Sequence, residues 1–238
     1  LQAVLGDNGK LYVAADYCRT LVDFKLDSLQ ALRTAISVLH QKYGVPNVVV
    51  SSIPLTSQRV SWLPNALIVP RGQGQSAEGI NYADEGLLCL ASSRDGDESV
   101  VHATVIPQIR GFFSGVGDLF SAMILGHYDP SPEQTRNELG AKSGQSTALS
   151  RAVSNAIRTT HAVLRKTARA SALVPGSSED GFTDEELDTR DEARRVRRMK
   201  ARELRIVQSA DIILRAGRID SDEGWDLEEM WHWADFWS

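Results

Sequence analysis

Gly115-Val116-Gly117-Asp118 stands just before an apolar run, Leu119-Phe120 to Ile124-Leu125. Two glycines one residue apart let the backbone bend tightly. The residues that follow predict a short apolar helix, Asp118 to His127. A helix start carries N–H groups with no partner inside the helix, and the positive end of its dipole. It can hold a phosphate, or an anion that develops during a reaction. Asp118 places a carboxylate beside that position, where a general base would act. The tetrad also has a plainer reading. Aspartate is a favoured helix cap, and glycine before a helix is ordinary turn chemistry. Taken alone, the tetrad leaves both readings open.

Such a turn needs rigid elements around it. Leu29, Leu32, Ile36, Leu39 and Tyr43 recur at helical spacing. Asp27 or Ser28 can cap that helix, and Gly44 then Pro46 end it. Val48-Val49-Val50 follows, short, β-branched and apolar throughout, as in a strand covered on both faces of a parallel sheet. Helix, turn and strand make half of a βαβ unit. Ser51 and Ser52 fall at this strand's carboxyl end, where open α/β sheets bind ligands. Serine there serves equally as a turn former. Gly86 to Ser92 and Ser99 to Val105 predict two strands around a turn at Asp95-Gly96-Asp97. His102, inside the second, has no sequence partner for metal or base work. Thr147 to Ala170 predicts a long helix. Leu149, Val153, Ile157, Thr160, Leu164 and Thr167 form its apolar stripe, and Arg151, Arg158, Arg165 and Arg169 its polar side. Leu204 to Leu214 alternates enough to predict a final strand.

Other stretches read as connections. Residues 57–84 hold Pro64, Pro70, Gly72, Gly74 and Gly79 with little periodicity, and are expected to be a long loop insertion. Gly72-x-Gly74 has no helix pattern after it and reads as linker. Residues 175–192 are polar and acidic, as in a surface loop. Arg194, Arg195, Arg197, Arg198, Lys200, Arg202 and Arg205 then cluster. Asp184, Glu185, Glu186, Asp188, Asp191 and Glu192 lie just upstream, and no aromatic residue interleaves. The run therefore reads as a solvated helical face paired within the chain rather than a nucleic-acid patch. Residues 215–238 form an acidic tail with Trp225, Trp231, Trp233 and Trp237 at weakly helical spacing.

The chain of 238 residues is 42% hydrophobic and 24% charged, with a net charge of −5. That length allows one large domain, and the acidic balance argues against a general nucleic-acid binder. Cys18 and Cys89 lack metal-ligand spacing and predict a reducing compartment without a disulfide framework. No run has the length of a membrane span, and no secretory leader is visible. A cytoplasmic protein is expected.

Four ordered segments resemble the pyridoxal kinases of the ribokinase-like superfamily. Leu5-Gly6-Asp7-Asn8-Gly9-Lys10-Leu11-Tyr12-Val13 resembles the segment after the family's Asp-Pro-Val strand. Val48 to Ser52 resembles its strand ending in Thr-Ser or Ser-Ser. Gly111 to Leu125 resembles its anion-hole turn and catalytic helix. Glu203-Leu204-Arg205-Ile206-Val207-Gln208-Ser209 resembles its C-terminal Glu-Leu-Arg-x-Val-Gln strand, and the Arg-rich run before it resembles fungal members most.

The resemblance implies a three-layer α/β/α sandwich with a mostly parallel central sheet, spread over residues 1–214. It implies ATP-dependent phosphorylation of the 5′-hydroxymethyl group of pyridoxal, pyridoxine or pyridoxamine. Asp118 would be the catalytic base, and Gly115, Val116 and Gly117 the anion hole. Ser51, Ser52, Asp7, Tyr12, Ile109, Arg110 and Gly111 would bind ATP, with Asp7 near the Mg²⁺ carried by the phosphates. A monovalent cation and a homodimer stay as options. A different alcohol kinase of the superfamily and a catalytically silent interaction protein are the alternatives.

The sequence also departs from the family's pattern. The N-terminal βα units have no counterpart, so the chain reads as a truncated, incomplete member. Gln2-Ala3-Val4 replaces Asp-Pro-Val. A Thr-Pro-Asn-x-Phe-Glu-x-Glu segment is missing between Cys18 and Asp27. Val116 stands where many members carry threonine.

Overall fold

The computed structural model describes residues 11–13, 22–68, 86–109, 111, 113–129, 146–173, 184–215 and 229–238, with only the backbone given for 11–13. In chain order the elements are β1 (Leu11–Val13), α1 (Leu29–Gln41), β2 (Asn47–Pro54), α2 (Ser57–Val60), α3 (Asn65–Ile68), β3 (Gly86–Asp95) and β4 (Glu98–Pro107). There follow α4 (Val116–His127), α5 (Ala148–Ala172), α6 (Asp184–Arg190), α7 (Glu192–Ala201), a 3₁₀ turn (Val207–Ser209), α8 (Ala210–Leu214) and β5 (Trp231–His232).

Local chemistry sets several boundaries. The Ser28 hydroxyl caps α1 by accepting from the Ala31 N–H at 3.1 Å. Gly44, with φ +64°, turns the chain into β2. The Thr147 hydroxyl caps α5 by accepting from the Ser150 N–H at 3.1 Å. The two long strands β3 and β4 meet at a tight turn through Gly96, whose φ of +59° favours glycine.

The strands form one five-stranded sheet in the order β1-β2-β3-β4-β5. Apolar side chains alternate across it. Val48, Val50, Ile53, Leu88, Leu90, Val101 and Ala103 pack with Leu32, Ala35, Ile36 and Leu39 of α1 on one face. Val49, Cys89 and Ala91 pack with Phe120 and Ile124 of α4 and with Leu149, Val153 and Ile157 of α5 on the other. Helices thus cover both faces, which is the expected three-layer α/β/α arrangement.

The expected mostly parallel order does not hold over the described strands. β1 and β2 are parallel, but β2–β3, β3–β4 and β4–β5 are antiparallel. The Asp95-Gly96-Asp97 turn explains one of these pairs, because a tight hairpin can join only antiparallel strands. Helices on both faces leave the described strands apolar on both, so their composition does not reveal direction.

Other expectations are corrected in detail. Leu204 to Leu214 is a 3₁₀ turn and a short helix, not a strand. Its apolar residues suit either period over so short a run. Ile212 and Ile213 turn onto α5 beside Val163, and Asp211 lies 3.9 Å from Lys166. Residues 57–60 and 65–68 are short helices within the expected loop, and 69–85 lie outside the described residues. The acidic stretch is helical from Asp184 onward, and its aspartates are paired. Asp184 holds Arg194 at 2.9 Å and Arg202 at 2.7 Å. Asp188 pairs with Arg194 and Arg198, and Asp191 with Arg197. The expected internal pairing of the Arg-rich run is therefore present.

The last ten residues are not a helix. β5 pairs with β4 at His102 and Ala103, and the Trp233 N–H donates to the Val101 carbonyl at 2.8 Å. Trp233 and Phe236 enter the α1 face of the core, edge to face at 5.1 Å. Met230 joins the opposite face, where its N–H donates to Ser154 Oγ at 3.1 Å. Arg33 of α1 lies over the Phe236 ring at 5.9 Å. Phe236 is fully buried. Phe236→Ala should cost about 3–5 kcal/mol of stability by leaving a cavity under α1, read as a lower urea midpoint with an unchanged slope.

Two buried histidines make the fold pH-sensitive. The His40 Nδ1–H donates to the Val45 carbonyl at 2.6 Å, and its Nε2 accepts from the Ser92 hydroxyl at 2.7 Å. Burial lowers its pKa, against the Val45 hydrogen bond and with Arg94 repulsion. Burial lowers His161 of α5 to about 4, helped by Arg165 and opposed by a hydrogen bond to the Pro107 carbonyl. A histidine with a depressed folded pKa binds fewer protons folded than unfolded, so stability is full above the ordinary value of 6.5 and falls as pH drops toward 4. Stability should therefore fall by about 2 kcal/mol for His161 between pH 7 and 4.5. His161→Gln should flatten that slope in denaturant titrations. The paired aspartates titrate below this window, because Asp184, Asp188 and Asp191 are all held below their ordinary value.

Candidate phosphoryl-transfer site

The site grows from the loop between β4 and α4. β4 ends at Pro107, which is paired with Gly86. The chain then bends through Gly111, with φ +118°, and Gly115, with φ +86°. Both values lie where only glycine is at ease. A Cβ on Gly111 would come within 3.2 Å of the Phe113 ring and 3.7 Å of the Arg202 guanidinium carbon. Gly115 is the residue that caps α4, and among the described residues no side-chain cap hydrogen bond is made to this helix start. The first intrahelical bond runs from the Leu119 N–H to the Gly115 carbonyl at 3.0 Å. The amides of the first turn are thus left without a capping side chain, and Gly115 is exposed.

Asp118 is not the cap. It stands in the first turn, exposed, while Leu119, Phe120 and Ile124 turn into the core. Among the described residues its carboxylate has no hydrogen-bond or ion-pair partner. The positive end of the helix favours its charge. The plain capping reading of the tetrad is therefore corrected: glycine takes the cap, and the carboxylate is left facing solvent next to the uncapped amides.

Ser51 and Ser52 lie at a β-bulge rather than at a strand end, because β2 runs on to Pro54. Val50 pairs with Leu90 and Ile53 with Leu88, so two serines stand opposite Cys89 alone. Ser52 takes φ +63°, uncommon for a residue with a side chain. The extra residue resets the alternation, so Ile53 rather than Ser52 enters the core beside Val48 and Val50. Ser52 is exposed and Ser51 half-buried.

The direction of α4 brings these parts together. Pro107 and Gly86 mark one end of the sheet, and Pro54 pairs with Leu87 there. At the other end, Asn47 Nδ2 donates to the Tyr128 hydroxyl at 2.8 Å. Tyr128 directly follows α4, so the helix ends over the start of β2. Its 12 residues span ~18 Å, and the five steps from Asn47 to Ser52 cover about 16 Å. The start of α4 therefore reaches the level of the serine bulge. By these lengths the loop through Ile109 and Gly111 and the helix start at Gly115, Val116, Gly117 and Asp118 lie toward the same end of the sheet as Ser51 and Ser52. Tyr12 is not gathered with them: its backbone pairs opposite Val48, near the other end of β2. Asp7 and Arg110 lie outside the described residues.

Sequence reasoning missed the support of this turn. Ser114 bridges to Glu203, and Leu204 Cδ1 would lie 3.8 Å from a Cβ on Gly115. The Arg205 N–H donates to Thr167 Oγ1 of α5 at 3.1 Å. The segment after α7 therefore runs between the loop and α5. The Glu203-Leu204-Arg205 match pointed to this stretch, but as a strand. Among the described residues, no group of three or more histidine, cysteine or acidic side chains could hold a metal.

No family model matches the chain. Two Schizosaccharomyces pombe proteins that carry pyridoxal kinase as a provisional name do. One is 30% identical over 191 residues, covering 71% of this chain and 52% of the relative. The other is 23% identical over 237 residues, covering 90% and 59%. The chain is a relative of the pyridoxal kinases. It spans little more than half the length of these curated relatives. The fold is shared with the pyridoxal kinase of Leishmania donovani in complex with ADP and pyridoxine, at TM-score 0.53 and 16% identity over 92% of this chain and 59% of that one. The same enzyme with ADP and pyridoxamine gives TM-score 0.51 at 16% identity, over 86% and 48%. No helix among the described residues is long and apolar enough to cross a membrane.

Backbone geometry at the cap gives a direct test. Gly115→Ala should lose about 1–2 kcal/mol, the usual cost of a side chain in the left-handed region. The measurement is urea unfolding.

Proposed function

We propose that this pyridoxal kinase relative carries the phosphoryl-transfer half of such an enzyme, moving the γ-phosphoryl of ATP to the 5′-hydroxymethyl group of pyridoxal, pyridoxine or pyridoxamine. One observation supports this reading above the others. An uncapped helix start, bent by Gly115, and the exposed carboxylate of Asp118, without a partner among the described residues, lie toward the end of the sheet that also carries the Ser51–Ser52 bulge.

Phosphoryl transfer asks mainly for in-line placement and for charge stabilisation. The amides of Gly115, Val116 and Gly117 would donate to the oxygens of the migrating phosphoryl group. Fixed dipoles in that role need no reorganisation as charge develops. Asp118 would take the proton from the attacking hydroxyl oxygen, and its exposure leaves it free to reach a bound alcohol. Ser51 and Ser52 would offer hydroxyl donors to the nucleotide phosphates. Ile109 and Gly111 would line the nucleotide on the β4 side. Asp7 and Arg110 stay as further contacts of the nucleotide, with Asp7 toward the metal, whereas the place of Tyr12 opposite Val48 sets it apart from them. Mg²⁺, when bound, would supply positive charge against the nucleotide phosphates.

The fold comparison concerns the sandwich alone. In this reading the parallel part of the sheet lies on the β1 side, where β1 and β2 run parallel.

Asp118→Asn keeps the size of the side chain and removes the base. Turnover to the vitamer 5′-phosphate, followed by chromatography, should fall by about 10²–10⁴-fold. ADP binding, measured by calorimetry, should change by less than about threefold, because the loss is confined to the proton-transfer step. Turnover that survives the substitution would remove Asp118 from the mechanism.

A further inference from the structure

The Arg-rich helix α7 ends against the turn that carries the candidate chemistry. Arg202 follows its last residue, and its N–H donates to the Arg198 carbonyl at 3.0 Å. Nη1 of Arg202 donates to Asp184 Oδ2 at 2.7 Å, and the side chain is only 18% exposed. The guanidinium carbon lies 3.7 Å from the position that a Cβ on Gly111 would take. The next residue, Glu203, bridges to Ser114. Leu204 follows, packed with Leu119 of α4 and Val163 of α5. One short segment therefore meets the loop at Gly111, Ser114 and Gly115.

We propose that Arg202 is a positioning residue, clamped by Asp184 so that it braces the Gly111–Gly115 loop and fixes the first turn of α4. Its consequence for turnover rests on the kinase reading; its geometry does not. Glycine backbones at φ +118° and +86° are permitted but not held by local chemistry, and glycine is the residue with most freedom to lose. The loop must be held from outside. A solvated ionic face would not do this, because exposed pairs contribute little and give way readily. This cluster is different. Asp184 and Asp188 between them engage Arg194, Arg198 and Arg202, and the side chains of Arg194 and Asp188 are 9% and 11% exposed. Three guanidiniums around two carboxylates also leave an excess positive charge beside a turn proposed to receive phosphate. Asp184 is held below its usual range: burial raises its pKa, but the Arg194 and Arg202 hydrogen bonds outweigh that. The clamp therefore stays charged at neutral pH.

The experiment uses the full chain and two conservative variants. Arg202→Lys keeps the charge and loses the planar fork, and Asp184→Asn keeps the shape and loses the charge. Hydrogen exchange is followed segment by segment by mass spectrometry. Exchange over residues 113–118 should speed up by about tenfold in both variants while β3 and β4 stay unchanged, the pattern of a local opening. With ATP and a vitamer, kcat should fall by about tenfold while KM for ATP changes less than about threefold, since misplaced donors cost rate more than affinity. Unchanged exchange over 113–118 would overturn the proposal, and so would loosening spread evenly over β3 and β4. A wild-type chain without phosphoryl transfer, whose variants still loosen this loop, would support the brace while removing the kinase reading.

Discussion

The hydrogen bond from Asn47 to the Tyr128 hydroxyl, 2.8 Å long, fixes which way α4 runs across the sheet. Phe120 and Ile124 enter the core beneath the helix. Together they leave α4 one orientation, with its last turn over the start of β2 and its first turn at the far end. The bulge at Ser51–Ser52 lies at that far end for an independent reason. Two residues stand there against one, and without the reset Ser52 would take the core position that Ile53 fills. Packing thus directs an uncapped helix start toward the end of the sheet that carries the two hydroxyls. None of the groups that would do chemistry takes part in the core, so their exposure costs the fold little.

Much of this was legible in the sequence because the relevant signals are local. Ser28 before an apolar stripe specified α1. The Asp95-Gly96-Asp97 turn specified the β3–β4 hairpin. The Gly-x-Gly-Asp tetrad specified both the bend and the helix after it. What stayed hidden depends on contacts between distant residues. Strand direction in β2 is decided by its pairing with β3, about forty residues away along the chain. Composition could not show it, because Val48, Val49 and Val50 are buried on either face. The run from Leu204 to Leu214 carries apolar residues that suit two periods, and docking of Ile212 on α5 chose the helical one. The bulge had no signal beyond two serines, which read equally as a turn.

The charged segment shows how a correct rule can still miss a role. Its acids do pair with its arginines, as their proximity in sequence implied. The pairing is nonetheless not a surface decoration. Arg194 is 7% exposed, and Leu187 of the acidic helix is buried. A partly buried ion pair adds little net stability compared with an apolar replacement, but it penalises any arrangement that breaks it. That property suits a clamp better than a glue. It holds one geometry and makes departures costly. Gly111 and Gly115 gain from such a partner, since glycine has the most backbone freedom to lose.

The aromatic C-terminal segment solves a different problem at the other edge of the sheet. β4 carries ten residues, and an uncovered edge of that length would present a row of free backbone groups. β5 pairs with only part of it, at His102 and Ala103. The larger contribution comes from side chains. Trp233 and Phe236 fill the α1 face while Met230 fills the α5 face, so one short segment closes both layers at once. The tryptophan spacing read as a weak helix in an acidic tail, yet Met230, Trp233 and Phe236 enter the core from a short strand and turn. The same segment touches both helical layers that flank the sheet. Loss of its packing would therefore loosen α5, the helix on which the Arg202–Arg205 strap and the first turn of α4 both rest. In this chain the geometry of the candidate site and the integrity of the far sheet edge are joined through a single helix.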